Sequence, residues 1–264
     1  MRKVSLFILD RIIVILVVTA IWLFYPGLSV TAQGKSGESS SILQAGTAKV
    51  DITPEKPVKM AGYASRKELS TGVHDPLSAR AIAFENNGKR LVLVSADIIG
   101  FYGKTGNHLR NVILDEFQLE PSELFLSAIH THSGPIMTID KENGHPNNLE
   151  YTEGLKDKLI EVIRKALDNT EPVNIGTGVG YSPVGINRRE LQFDSEGNSS
   201  VRLGRNPYGT TDKDVLVLKM AKPNGQTVAA LFDYATHATC LGGKNYVISG
   251  DVLGLAEQFV EKIL

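Results

Sequence analysis

The alternation of apolar and polar positions divides this chain into many short strands and three helical segments. Residues 45–52 alternate small or apolar residues with polar ones and predict a strand, which Pro54 stops. Residues 79–85 and 90–96 predict two strands joined through Asn86-Asn87-Gly88, a hairpin turn signal. Residues 105–117 carry helical spacing, with Leu109, Val112, Ile113 and Phe117 on one side. The apolar run 124–129 predicts a buried strand. Residues 151–167 predict the clearest helix, with Leu155, Leu159, Val162, Ile163 and Ala166 on its apolar face. Between these two lies a Gly/Pro/Asn-rich stretch, 133–149. It is long for a structureless connection, and such loops are usually functional or disordered. Residues 173–181 predict a Gly-rich strand, and 191–203 a polar hairpin around Ser195-Glu-Gly-Asn198. Residues 215–220 and 227–234 flank Pro223-Asn224-Gly225 as a further hairpin. The segment 253–264 predicts an amphipathic helix entered through Ser249-Gly-Asp251, with Asp251 as its N-cap. Strands outnumber helices and several are joined by tight turns. The predicted class is therefore α/β of the α+β kind: mixed, largely antiparallel β-sheets covered by helices, not a doubly wound parallel sheet.

The N-terminus follows a different pattern. Met1-Arg-Lys3 gives a positive start, residues 12–24 are continuously apolar, and Val30-Thr-Ala32 offers small residues for cleavage. Residues 1–32 read as a signal peptide or an N-terminal anchor. Asp10 and Arg11 leave the clean apolar run short for a membrane span of roughly 20 residues. Residues 33–41 are a Gly/Ser-rich linker, and 42–264 form the folded domain. The expected location is secreted, periplasmic or cell-surface. The chain stops at Leu264 on an apolar helix, so the domain is expected to be incomplete at its C-terminus.

Composition narrows the chemistry. The formal net charge is -1 with no basic block, which gives no support to nucleic-acid binding. Cys240 is the single cysteine, so no intrachain disulfide forms, and it reads as buried filler. Three of the six histidines leave predicted strands: His130 and His132 in His130-Thr-His132-Ser-Gly-Pro135, and His237 in Thr236-His237-Ala-Thr239. On an extended segment residues i and i+2 project to one side, so His130 and His132 would share a pocket with His237 as a long-range partner. Neutral imidazole is the commonest metal ligand, and a catalytic zinc takes three protein ligands and keeps one position open. The alternative is an HTH segment that only caps its turn. Asp97 reads either as an acceptor holding a ligand histidine or as a helix cap or turn former. Arg188, in Asn187-Arg188-Arg189, reads as a fork for a carboxylate or carbonyl, or as half of a solvated surface pair. His74, His108 and His145 are assigned to no site. There is no Gly-x-Ser-x-Gly elbow.

In chain order the segments are Ala45-Gly-Thr-Ala-Lys-Val-Asp-Ile-Thr53, Met60-Ala-Gly-Tyr63, Ala79-Arg-Ala81, Val94-Ser-Ala-Asp97, Ser127-Ala-Ile-His-Thr-His-Ser-Gly-Pro135, Asn187-Arg188, His237-Ala-Thr239 and Ile248-Ser-Gly-Asp251. This ordered set resembles the N-terminal catalytic domain of the neutral/alkaline, non-lysosomal ceramidases, from about residue 45 to the end. The resemblance implies a zinc-dependent amidohydrolase that cleaves N-acylsphingosine to sphingosine and a fatty acid. It implies zinc ligation by His130 and His237, assistance to the substrate by His132, and substrate contact by Arg188. The assignment of both H-x-H imidazoles as ligands is thereby narrowed to His130. The resemblance also implies two further ligands, a glutamate and a tyrosine, and a serine-bearing loop and an immunoglobulin-like domain, all later in the family's chain. The expected partner is a ceramide-like lipid at a membrane or micelle surface. Two alternatives stand beside this: a truncated, non-catalytic domain, and a related metal-dependent hydrolase of another N-acyl or ester compound.

Overall fold

A computed structural model describes residues 42–264. The signal-peptide or anchor segment 1–32 and the linker 33–41 lie outside the described residues. The described unit holds twelve strands and three helices.

Strand β1 (Gln44–Asp51) is followed by the short β2 (Gly72–Val73) and then by β3 (Ser78–Asn86) and β4 (Lys89–Ala96). The hairpin turn falls where its sequence predicts. Asn87 and Gly88 both take positive φ (51° and 72°), which a two-residue hairpin turn of this hand requires. Helix α1 (Gly103–Phe117) crosses from β4 to β5 (Leu124–Ala128), and β5 pairs with β4 in parallel. Helix α2 (Pro146–Asp168) leads to β6 (Glu171–Pro172). These strands form one sheet in the order β5-β4-β3-β1-β6, antiparallel except for the β4–β5 pair. The expected mixed, largely antiparallel class is the observed one.

Alternation assigns the two faces of this sheet. Ala79, Ala81, Ala83, Val92, Val94 and Ala96 are buried under α1 and α2, which contribute Leu109, Ile113, Leu155, Leu159, Val162 and Ile163. The small alanines of β3 let the helices approach closely. The opposite face carries Ile82, Leu93 and Phe125, and a cleft of about 990 Å³ separates it from a second sheet.

That second sheet has β7 (Asn174–Tyr181), β10 (Asp214–Ala221) and β11 (Thr227–Tyr234) in the order β11-β10-β7. Between them in sequence, β8 (Asn187–Phe193) and β9 (Ser199–Asn206) form a separate, exposed hairpin. Strand β12 (Val247–Ile248) pairs in parallel with β2, and α3 (Asp251–Ile263) follows.

Four expectations are corrected. Strand β5 is a sheet edge and not fully buried, with Phe125 59% exposed. Helix α2 starts at Pro146, five residues before its apolar periodicity begins. Proline suits a first helical turn, and the His145 side chain accepts from the Asn147 N–H as the cap. The long loop is thereby shortened. Helix α3 is capped by Gly250, while the Asp251 carboxylate turns back to accept from the Cys240 and Leu241 N–H groups at 3.2 and 3.3 Å. Cys240 itself is exposed, not buried filler.

Candidate metal centre

The site is assembled at the carboxyl ends of the two parallel strands β4 and β5, where open sheets usually place their chemistry. Past β5 the backbone stays tied to the segment after β4. The Ile129 N–H donates to the Ala96 carbonyl (3.1 Å) and the Thr131 N–H to the Ile98 carbonyl (3.3 Å). His130 then takes φ 60°, an uncommon conformation for a non-glycine residue that histidine adopts more readily than most. His130 and His132 come together across this left-handed kink. Their ring centroids are 5.0 Å apart. Thr131 points inward instead, fully buried, and its hydroxyl donates to the Ser249 carbonyl at 2.8 Å.

His237 arrives from the loop after β11. The His132 N–H donates to the Ala238 carbonyl at 3.1 Å, which stitches this loop to the HTH segment. The His237 and His132 Nε2 atoms are 2.9 Å apart, and the His132 and His130 Nε2 atoms 3.3 Å. The His130 and His237 rings stack with centroids 4.9 Å apart. One nitrogen from each of the three histidines lies within 4.8 Å of the others. Two zinc–nitrogen bonds of about 2 Å each span at most about 4 Å, so the set is close to what one ion can gather.

The protonation states suit a cation. Burial holds His132 below the ordinary imidazole value, helped by the charges of His130, Arg188 and Arg66. Burial, then Arg188 and His132, lowers His237 to about 4. Both are neutral near pH 7, as ligation requires. The His130 Nδ1 lies 2.6 Å from the Ile99 carbonyl, which can only accept. Its proton is therefore on Nδ1, and its Nε2 lone pair faces the other two rings. Tyr102 also reaches this Nδ1, at 3.2 Å. Arg188, on β8, donates from Nη1 to the His237 Nδ1.

All three strand-exit histidines and Arg188 thus share one place. Asp97 does not join them. Its buried carboxylate accepts from the Ser78 N–H (2.8 Å) and from Arg80 (3.3 Å), so it anchors the start of β3. The acceptor that orients His130 is the Ile99 carbonyl. Asp97 belongs to a second cluster, in which Arg80 also donates to Glu257 and Glu261 of α3, each at 2.6 Å. Burial and the neighbouring Asp97 push Glu257 up to about 8. Burial pushes Asp97 up too, but Arg80 and the Ser78 N–H oppose it.

Sequence reasoning gave no role to Gly62, Tyr63, Arg66 or Tyr102. The Tyr63 ring meets the His132 ring edge-on at 5.1 Å. Gly62, with φ 96°, lies so close that a Cβ there would fall 2.5 Å from the ring's Cγ and Nδ1. The signal was present in Met60-Ala-Gly-Tyr63, a glycine–aromatic turn between strands, but spacing alone does not say which ring such a turn supports.

Comparison with known proteins places the chain in one family. The family described as neutral/alkaline non-lysosomal ceramidase, N-terminal, matches residues 43–264. Neutral ceramidase B of Dictyostelium discoideum is 30% identical over 86% of this chain and 32% of its own length. Neutral ceramidase 1 of Arabidopsis thaliana is 28% identical over 82% of this chain and 28% of its own. The crystal structure of the neutral ceramidase from Pseudomonas aeruginosa superposes with a TM-score of 0.64 at 22% identity, covering 82% of this chain and 35% of that one. The chain spans about a third of the length of these relatives. With a family match across nearly all the described residues, the chain belongs to the neutral/alkaline non-lysosomal ceramidase family and corresponds to its N-terminal region.

Proposed function

We propose that this chain carries the histidine part of a zinc centre that hydrolyses the amide of N-acylsphingosine, a ceramide-like lipid presented at a membrane or micelle surface. The observation that carries the reading is the convergence of three half-buried imidazoles from two loops, two of them held neutral. His130 and His237 are the proposed ligands, and His132 stands between them facing the substrate.

A zinc ion there supplies Lewis acidity toward a carbonyl and lowers the pKa of water toward neutrality. The chain's own residues do the rest. The Ile99 carbonyl fixes the His130 proton on Nδ1 and keeps Nε2 free. His237 can offer Nε2 only with its proton on Nδ1. Arg188, which now donates to that nitrogen, must then leave it and can turn to a substrate oxygen. His132 is placed to pass a proton or stabilise a developing oxyanion. An extracytoplasmic location is part of the proposal, supported by the basic start and apolar run within residues 1–32.

The test is zinc content by mass spectrometry, together with release of fatty acid from N-acylsphingosine in detergent micelles. We expect about one zinc per chain and its loss in His130→Ala. A His130→Ala protein that keeps stoichiometric zinc would overturn the ligand assignment. Zinc uptake with turnover of a different N-acyl or ester compound would move the substrate class and leave the metal centre standing.

A further inference from the structure

Arg66 is a buried cation without an acid. It is 7% exposed, and no carboxylate pairs with it among the described residues. A buried charge is costly unless it is hydrogen-bonded, so the partners of its two terminal nitrogens indicate what it is kept for. Its Nη1 donates to the carbonyls of Ala61 (2.8 Å) and His132 (2.5 Å), and its Nη2 to the carbonyl of Gly242 (3.0 Å). Its guanidinium carbon lies 4.8 Å from the centre of the Tyr63 ring.

The three carbonyls come from three separate loops. Ala61 precedes the Gly62-Tyr63 turn that supports the His132 ring. His132 is in the HTH segment, and Gly242 lies in the loop that follows His237. The same loop is held from its other side by Asp251, through the Cys240 and Leu241 N–H groups. One planar fork therefore sets the spacing among every loop that carries His132 and His237. Lysine has no such fork, since its ammonium is a point donor on a flexible stem.

We infer that Arg66 is a positioning residue for the histidine cluster: through three loop carbonyls it holds His132 and His237 at their mutual distance, without itself touching substrate. The inference rests on the proposed metal centre for its purpose, but its geometry can be tested without metal.

The test compares the wild-type chain with Arg66→Lys and Arg66→Gln. Gln also removes the buried charge and is the easier variant to fold. Side-chain imidazole nitrogen resonances are recorded by NMR on metal-free protein, and zinc affinity is measured by titration calorimetry. The His132 and His237 resonances should move or broaden in both variants, while those of the remote His108 and His145 stay fixed. Zinc affinity should fall about tenfold or more, the usual effect of losing a group that orients a metal site. Methylguanidinium added to Arg66→Ala should restore the His132 and His237 resonances. Variants that melt earlier yet keep all imidazole resonances in place would overturn the inference, because Arg66 would then serve stability alone. If the wild-type chain takes up no zinc, the metal reading fails, and the metal-free spectra still decide the role of Arg66.

Discussion

Gly62→Ala places a single methyl group where the structure has no room for it. The added Cβ would lie 2.5 Å from two atoms of the His132 ring. Ordinary carbon contacts need about 3.5–4.0 Å, so the ring must retreat by about 1 Å. Its backbone cannot follow, because the His132 N–H is bound to Ala238 and its carbonyl to Arg66. The ring must turn instead, into neighbours whose centroids are only 4.6 to 5.1 Å away. Alanine at φ 96° costs about 1–2 kcal/mol in backbone strain. Overpacking adds about 1–3 kcal/mol. The sum, about 2–5 kcal/mol, lowers the melting temperature by roughly 4–20 °C at about 2–4 °C per kcal/mol for a domain of this size. Gly88→Ala is the control. It has a similar φ of 72° but nothing within 4 Å of its added methyl, so only the strain remains and the loss is about 2–8 °C. Calorimetric melting of the two variants, with the His132 imidazole resonance as local probe, separates contact from strain. Equal losses in the two, or an unmoved His132 resonance in Gly62→Ala, would refute the idea that this turn wedges the ring.

Glu257 makes stability pH-dependent. Its carboxyl sits near 8 folded against an ordinary 4.5, so the folded chain holds the extra proton between these values. The stability it contributes is whole below about pH 4.5 and is lost as pH rises to 8. The melting temperature should therefore fall between about pH 4.5 and 8 and level off above, with a shallower slope in Glu257→Gln, and equal slopes in the two proteins would count against a raised Glu257. Leu159→Ala, in the fully buried face of α2, should cost about 2–5 kcal/mol in denaturant unfolding and leave zinc uptake unchanged in the folded protein. A loss under about 1 kcal/mol would mean that α2 is loosely packed.

The parts legible in the sequence are those fixed by neighbouring residues. The Asn87-Gly88 hairpin, the apolar face of α2 and the β10–β11 hairpin each depend on a local period or turn, and each lies where it was expected. The histidines were legible as a group because all three sit at strand exits. Their packing was not, since it depends on contacts between distant segments. The i and i+2 projection of His130 and His132 gave their pairing and turned Thr131 away, as observed, but it did not foresee the left-handed φ of His130. Asp97 shows the same limit. Its place after a strand fits a ligand-orienting acid, but Arg80 and the Ser78 N–H, both on β3, claim its carboxylate, and a backbone carbonyl orients His130 instead. A carbonyl carries no residue-type signal, so no reading of side chains could have found Ile99. Arg66 is the harder case, a charge whose partners are all carbonyls. The groups that tune this site are largely main-chain atoms, which is why the sequence shows the histidines and only the fold shows what holds them.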